Sequence, residues 1–198
     1  MKKLLLAAVI GLPVFLTGCA SVMRDAPSQA VTPPAPDKAK IVFMRSSMVA
    51  AAIGCDLFEV VNGELRYIGQ LPTGNKVVFE TTPGDKVIMA YGTAADFMLA
   101  KVAGGRTYYS IVRPNWGTGG FAPTPIRQQD SMYPDQRSKE FQEWVSGTKL
   151  IEPTEGAQAW FAENKARMQA IYTDYWARFQ RKNEQEKFDR TLMPQDGR

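Results

Sequence analysis

The sequence predicts an α+β protein: a small antiparallel β-sandwich of six or seven strands, then a short helix and a long amphipathic C-terminal helix. Three observations carry that expectation. Between Lys40 and Arg113, short apolar runs alternate with turn signals about every 8–12 residues, the rhythm of a sandwich. Within that stretch, Asn62-Gly63 separates two runs of strand formers, and both residue types tolerate the positive φ of a type I′ hairpin turn. Beyond Thr154, aromatic and aliphatic residues recur at helical spacing as far as Phe179.

The individual elements follow in chain order. Ile41-Val42-Phe43-Met44 is an apolar run of strand length. Leu57 to Val61 and Glu64 to Ile68 flank the Asn62-Gly63 turn, and Lys76 to Glu80 follows the turn Pro72-Thr73-Gly74. Pro83-Gly84-Asp85 leads into Lys86 to Tyr91, and Gly104-Gly105 precedes Thr107 to Val112; Asp96 to Val102 decides between six strands and seven. Side chains alternate along a strand, so Tyr108 and Tyr109 face opposite ways and only one is expected in the core. Ser138 caps a short helix that ends at Gly147, with Phe141, Trp144 and Val145 on one face. In the last helix Trp160, Phe161, Met168, Ile171, Tyr172, Tyr175, Trp176 and Phe179 share half the wheel. Gln180 to Lys187 is wholly polar and is expected to project into solvent, so truncation after Thr191 should change little.

Ahead of the sandwich lies an export signal. Met1-Lys2-Lys3 supplies a positive start, Leu4 to Leu16 an apolar stretch, and Leu16-Thr17-Gly18-Cys19 closes it. A transmembrane helix needs about 20 apolar residues; here Pro13, Thr17 and Gly18 interrupt a shorter run. The tetrapeptide resembles the bacterial lipobox, which implies cleavage between Gly18 and Cys19 and lipidation of the Cys19 thiol. Ala20, a small neutral residue after the cysteine, implies sorting to the outer membrane in proteobacterial lipoproteins, most simply on its periplasmic side. Residues 19–39, rich in Ala, Pro, Ser and Thr with no apolar period, read as a tether that lifts the domain off the headgroups. The organisation is then signal peptide 1–18, lipidated tether 19–39, sandwich 40–113, crossover loop 114–135 and helical extension 136–198.

A second resemblance concerns the domain. Asn62-Gly63-Glu64-Leu65-Arg66-Tyr67-Ile68-Gly69-Gln70-Leu71, then Thr82-Pro83-Gly84-Asp85, then Ala103-Gly104-Gly105-Arg106-Thr107-Tyr108-Tyr109 is similar to an uncharacterised family of bacterial lipoproteins. Its members carry a PEGA- or transthyretin-like sandwich with prealbumin-type topology. The resemblance covers residues 37–113. It implies fold and location, and no catalytic residue.

Composition narrows the functions. There is no histidine, which removes Ser-His-Asp and Cys-His catalysis and imidazole zinc sites. Loss of Lys2 and Lys3 with the signal takes the net charge from +4 to +2, and no basic stretch with interleaved aromatics marks a nucleic-acid partner. With Cys19 lipidated, Cys55 has no intramolecular partner and is expected to be buried and inert. Gly117-Thr118-Gly119-Gly120 lacks the Gly-Lys-Ser/Thr ending of a P-loop. No cofactor or metal site is expected.

Three function classes remain. The leading one is a non-enzymatic envelope lipoprotein that binds or scaffolds an envelope protein or peptidoglycan, with Trp116 and Phe121 of the crossover loop as partner contacts. The second is a cell-wall glycan or peptide hydrolase drawing two carboxylates from Asp56, Glu59, Glu64, Glu80, Asp85 and Asp96, which must stand about 5–9.5 Å apart in a glycosidase. The third is small-ligand binding at the sandwich mouth through Trp116, Tyr108 or Tyr109. The address itself is testable. Cys19→Ala should abolish incorporation of labelled fatty acid and stall processing; label retained on the variant would overturn the lipobox assignment.

Overall fold

The computed structural model describes residues 21–117 and 119–198, so the signal segment and Cys19 lie outside the described residues. The chain forms β1 (Met23–Asp25), β2 (Ala39–Arg45), β3 (Asp56–Val61), β4 (Glu64–Gln70), β5 (Asn75–Thr81), β6 (Gly84–Tyr91), β7 (Ala95–Val102), β8 (Arg106–Asn115) and β9 (Gly120–Ile126). It continues with α1 (Lys139–Gly147), β10 (Lys149–Pro153), α2 (Glu155–Gln180), α3 (Glu184–Asp189), β11 (Thr191–Leu192) and a 3₁₀ turn at Pro194–Asp196. The strands build two sheets, one of six in the order β1-β10-β5-β2-β8-β9 and one of five in the order β11-β7-β6-β3-β4.

The fold is an α+β sandwich in four layers. Ile41, Phe43, Leu57, Ile88, Met98, Tyr108 and Val112 form the core between the sheets. The outer face of the five-stranded sheet, including Phe58, Leu65, Met89 and Phe97, is covered by Met168, Tyr172 and Phe179 of α2. The outer face of the six-stranded sheet, with Val42, Met44, Tyr109 and Ile111, is covered by Phe141 of α1 together with Val31. Because both faces of both sheets are covered, Tyr108 and Tyr109 are both core residues, not one of them. Tyr108 sits between the sheets, where its hydroxyl accepts from the Ala103 N–H at 2.7 Å; Tyr109 packs edge-on to Phe141 with centroids 5.0 Å apart.

Several sequence expectations need correction. The sandwich is not purely antiparallel: β2 with β8, β5 with β10, and β7 with β11 are parallel pairs. Sequence turns reveal the antiparallel partners of neighbouring strands, whereas parallel partners are joined by long crossovers that leave no local mark. The segment 21–39 is not a free tether, since Met23–Asp25 is an edge strand against β10 and Gln29 bonds both ways with Leu150. The crossover 114–135 contains β9, and the helical extension contains β10 and β11.

The two helices form where expected, with local differences. Ser138 Oγ accepts the Phe141 N–H at 3.2 Å and opens α1. Thr154 occupies the N-cap position of α2 but spends its hydroxyl on Ser21 O, at 2.6 Å. Beyond Phe179 the chain does not project into solvent. It turns at Arg181, starts α3 through the reciprocal capping pair Asn183 and Glu186, and returns to the sheets. There Leu192 is fully buried, and Arg198 and Thr107 exchange backbone hydrogen bonds of 3.1 and 2.8 Å.

Two stability outcomes follow. Phe179, 3% exposed and packed on Phe97 and Trp176, should cost about 3–5 kcal/mol when replaced by Ala. Phe161 is only half-buried, so Phe161→Ala should lower the melting temperature less. Truncation after Thr191 deletes Leu192 and the Thr107 pairing. It should cost at least about 2 kcal/mol in denaturant unfolding, whereas an unchanged midpoint would show that the last residues do not close the sheets.

Candidate functional site

Two features stand out, one at each side of the chemistry the sequence left open. The first is an apolar end of the sandwich, built around Arg45. This residue ends β2 and is 0% exposed, and it forms no ion pair among the described residues. Its guanidinium donates to the carbonyls of Ile53 at 2.6 Å, Ala50 at 2.7 Å and Leu71 at 3.2 Å, and lies 4.1 Å from the Phe121 ring centroid. Burial lowers its pKa, yet arginine keeps its charge in proteins. The charge is held by three carbonyl dipoles and an aromatic face, and those bonds pin the loop 46–54 over the sheet ends.

That pinned loop exposes Met48 (77%), Val49 and Ile53, and the β8–β9 turn beside it exposes Trp116 (82%). A small cleft of about 80 Å³ lined by Val49, Ile53, Trp116 and Phe121 joins the two. Trp116 is therefore accessible as the sequence anticipated. Phe121 is nearly fully buried: its ring packs against Arg45 and reaches the surface only as lining of that cleft. Arg45 was legible only as a lone cation closing the run Ile41–Met44.

The second feature is an open cleft of about 530 Å³ between the segment 127–133 after β9 and residues 185–196. Asp130, Asp189 and Asp196 line it, none of them a sequence candidate. Asp130 accepts the N–H groups of Met132 and Tyr133 and pairs with Arg127 at 3.0 Å, interactions that hold its carboxyl below the usual range. Asp196, 3% exposed, accepts the Met193 N–H at 2.7 Å, and burial raises its pKa. Both carboxylates are thus tied to backbone turns.

The six anticipated carboxylates have different surroundings. Glu59 faces Lys86 at 3.8 Å, Glu64 faces Lys165 at 3.0 Å and Glu80 faces Lys40 at 3.5 Å. Asp96 is held by Arg190 at 3.0 Å and Asn115 at 2.8 Å, while Asp85 is exposed. Asp56 alone is buried without a cation in contact: the Tyr67 hydroxyl and Gln70 amide donate to its Oδ1 at 3.1 and 3.3 Å. Burial pushes its pKa up to about 6 against those two hydrogen bonds. Each of the five that are held has its own partner. Cys55 is buried and unpaired, and burial pushes its thiol pKa up.

Among the described residues, no cluster of three or more metal-ligating side chains occurs, and no helix is long and apolar enough to cross a membrane. No family model and no curated protein matches the chain.

The Asp56 site fixes a pH dependence. Folded Asp56 holds its proton more tightly than the unfolded chain does, so its contribution to stability is full below about pH 4 and is lost as pH rises through about 6. Asp56→Asn keeps an acceptor for Tyr67 and Gln70 and removes the buried charge. It should stabilise the domain at pH 7 by about 1–3 kcal/mol and show a smaller gain at pH 4, measured by urea unfolding. Equal gains at both pH values would contradict a raised Asp56. Cys55 should react with alkylating agents only on unfolding; rapid native labelling would contradict its burial.

Proposed function

We propose that this chain is a lipid-anchored envelope protein of the bacterial outer membrane, facing the periplasm and acting without catalysis as a binding or scaffolding module. The partner is another envelope protein or peptidoglycan. One observation carries the binding half: Met48, Val49, Ile53 and Trp116 stand exposed together on two loops at one end of the sandwich. Large apolar side chains gathered on a surface mark interaction sites more often than scattered ones do. The support beneath them is a buried Arg45 with three backbone acceptors, so they are presented in a fixed arrangement. The anchoring half rests on Leu16-Thr17-Gly18-Cys19.

Engagement of Glu59, Glu64, Glu80 and Asp96 in ion pairs with four different cations favours a binding protein over a hydrolase. A prealbumin-type sandwich is the finer fold proposal. Its support is a run of four neighbouring strands in each sheet, β5-β2-β8-β9 against β7-β6-β3-β4, with only β2 and β8 parallel within it.

Trp116→Ala in the full-length protein tests the site. Lying on the surface, the substitution should leave stability within about 0.5 kcal/mol of wild type. Photocrosslinking from position 49 in the native envelope should then lose its products in the variant. An unchanged crosslinking pattern with an unchanged melting curve would exclude this end of the sandwich as the contact.

A further inference from the structure

The segment that composition marks as a tether is part of the folded domain from its third residue. Thr154 donates to the chain twice, from Oγ1 to Ser21 O at 2.6 Å and from its N–H to Val22 O at 3.0 Å. Met23 is buried, and its sulfur accepts the Gln70 N–H at 3.3 Å. Met23, Arg24 and Asp25 pair in register with Pro153, Glu152 and Ile151. Only Ala20 therefore separates Cys19 from the first fixed residue. Two extended Cα steps reach at most about 7 Å.

The topology says which side of the domain such a short reach would hold down. β1 is one edge of the six-stranded sheet, and its neighbour β10 touches β4, the edge of the five-stranded sheet. The opposite edges, β9 and β11, also meet. The six strands have five gaps of about 4.8 Å, so β1 and β9 lie about 24 Å apart. The Trp116 turn and the 127–133 segment both adjoin β9. Strands β1 and β10 carry two exposed ion pairs, Arg24 with Glu152 at 2.7 Å and Lys149 with Asp25 at 2.6 Å. A side lined with ion pairs suits polar headgroups and not the hydrocarbon interior.

Resting on the lipoprotein assignment of Cys19, we infer that the domain stands directly on the headgroups of the bilayer that its own acyl chains enter. Its β1–β4 side faces the bilayer and its β9–β11 side faces away. The occupant of the β1–β4 side is then the lipid surface, and the Trp116 end and the large cleft are offered to the aqueous side.

The test uses the mature lipidated protein in liposomes that carry nitroxide-labelled headgroups. A fluorophore is placed at Gln158→Cys, exposed one turn beyond Thr154, or at Met132→Cys, 80% exposed beyond β9. Buried Cys55 stays unlabelled. Quenching should be several-fold stronger at position 158 than at 132. Inserting 20 Gly/Ser residues between Ala20 and Ser21, with an r.m.s. reach of about 25 Å, should bring both positions to the same weak quenching. Equal quenching at both positions in the unlengthened protein, with flotation on liposomes retained, overturns the direct stance alone. A difference that survives the spacer overturns the short reach as its cause. Failure to float, with no acyl label on Cys19, overturns the lipoprotein assignment itself.

Discussion

The constraint on which the rest of the structure depends is that β2 is apolar on both faces. Ile41 and Phe43 point between the sheets while Val42 and Met44 point the other way, and all four are buried. A two-sheet sandwich covers only one face of each sheet. The other must be covered from outside or left wet, at about 1.5–3 kcal/mol for each large apolar side chain. The chain meets the demand with α1 and Val31 on one side and α2 on the other. The helices are thus outer walls of the core.

Arg45 shows how the same strand changes character at its end. One residue past the apolar run, a fully buried guanidinium meets carbonyl oxygens and an aromatic face where a carboxylate would ordinarily stand. Breaking such a site leaves an uncompensated charge, which costs far more than the hydrogen bonds themselves contribute. The loop 46–54 is therefore fixed by electrostatics from below as well as by its own turns, in which Ala51 and Ile53 donate to the Met48 and Ala50 carbonyls. An apolar surface on this loop keeps its shape in part because the strand beneath holds its carbonyls.

Much of the fold was legible in the sequence, for local reasons. Asn62 and Gly63 adopt φ of 52° and 83°, as a type I′ hairpin requires, and Val61 pairs with Glu64 across it. The strands flanking Gly and Pro turns, the Ser138 cap and the aromatic face of α2 all announce themselves within a few residues. What was not legible depends on distant partners. β9 reads as a loop because Pro123 and Pro125 lie in it. They are tolerated because β9 is an edge strand, and two prolines two residues apart direct their missing N–H groups to the same, unpaired side. β1 and β11 have three and two residues and no apolar alternation, so only their partners define them. At the site, Trp116 was legible as an unpaired aromatic in a loop, whereas Phe121 read the same way and is core. The difference is Arg45, whose burial no local pattern reveals.

The closing pairs have a consequence for how the chain comes to its final shape. β10 completes a sheet whose partner β5 is made much earlier, and β11 and the Arg198–Thr107 exchange do the same for β7 and β8. Contacts between sequence-distant segments form slowly. A chain emerging N-terminus first therefore carries β5, β7 and β8 without these partners until β10, β11 and Arg198 follow. β11 and the Arg198–Thr107 exchange act as a latch, fastening strands made some ninety residues earlier in the chain.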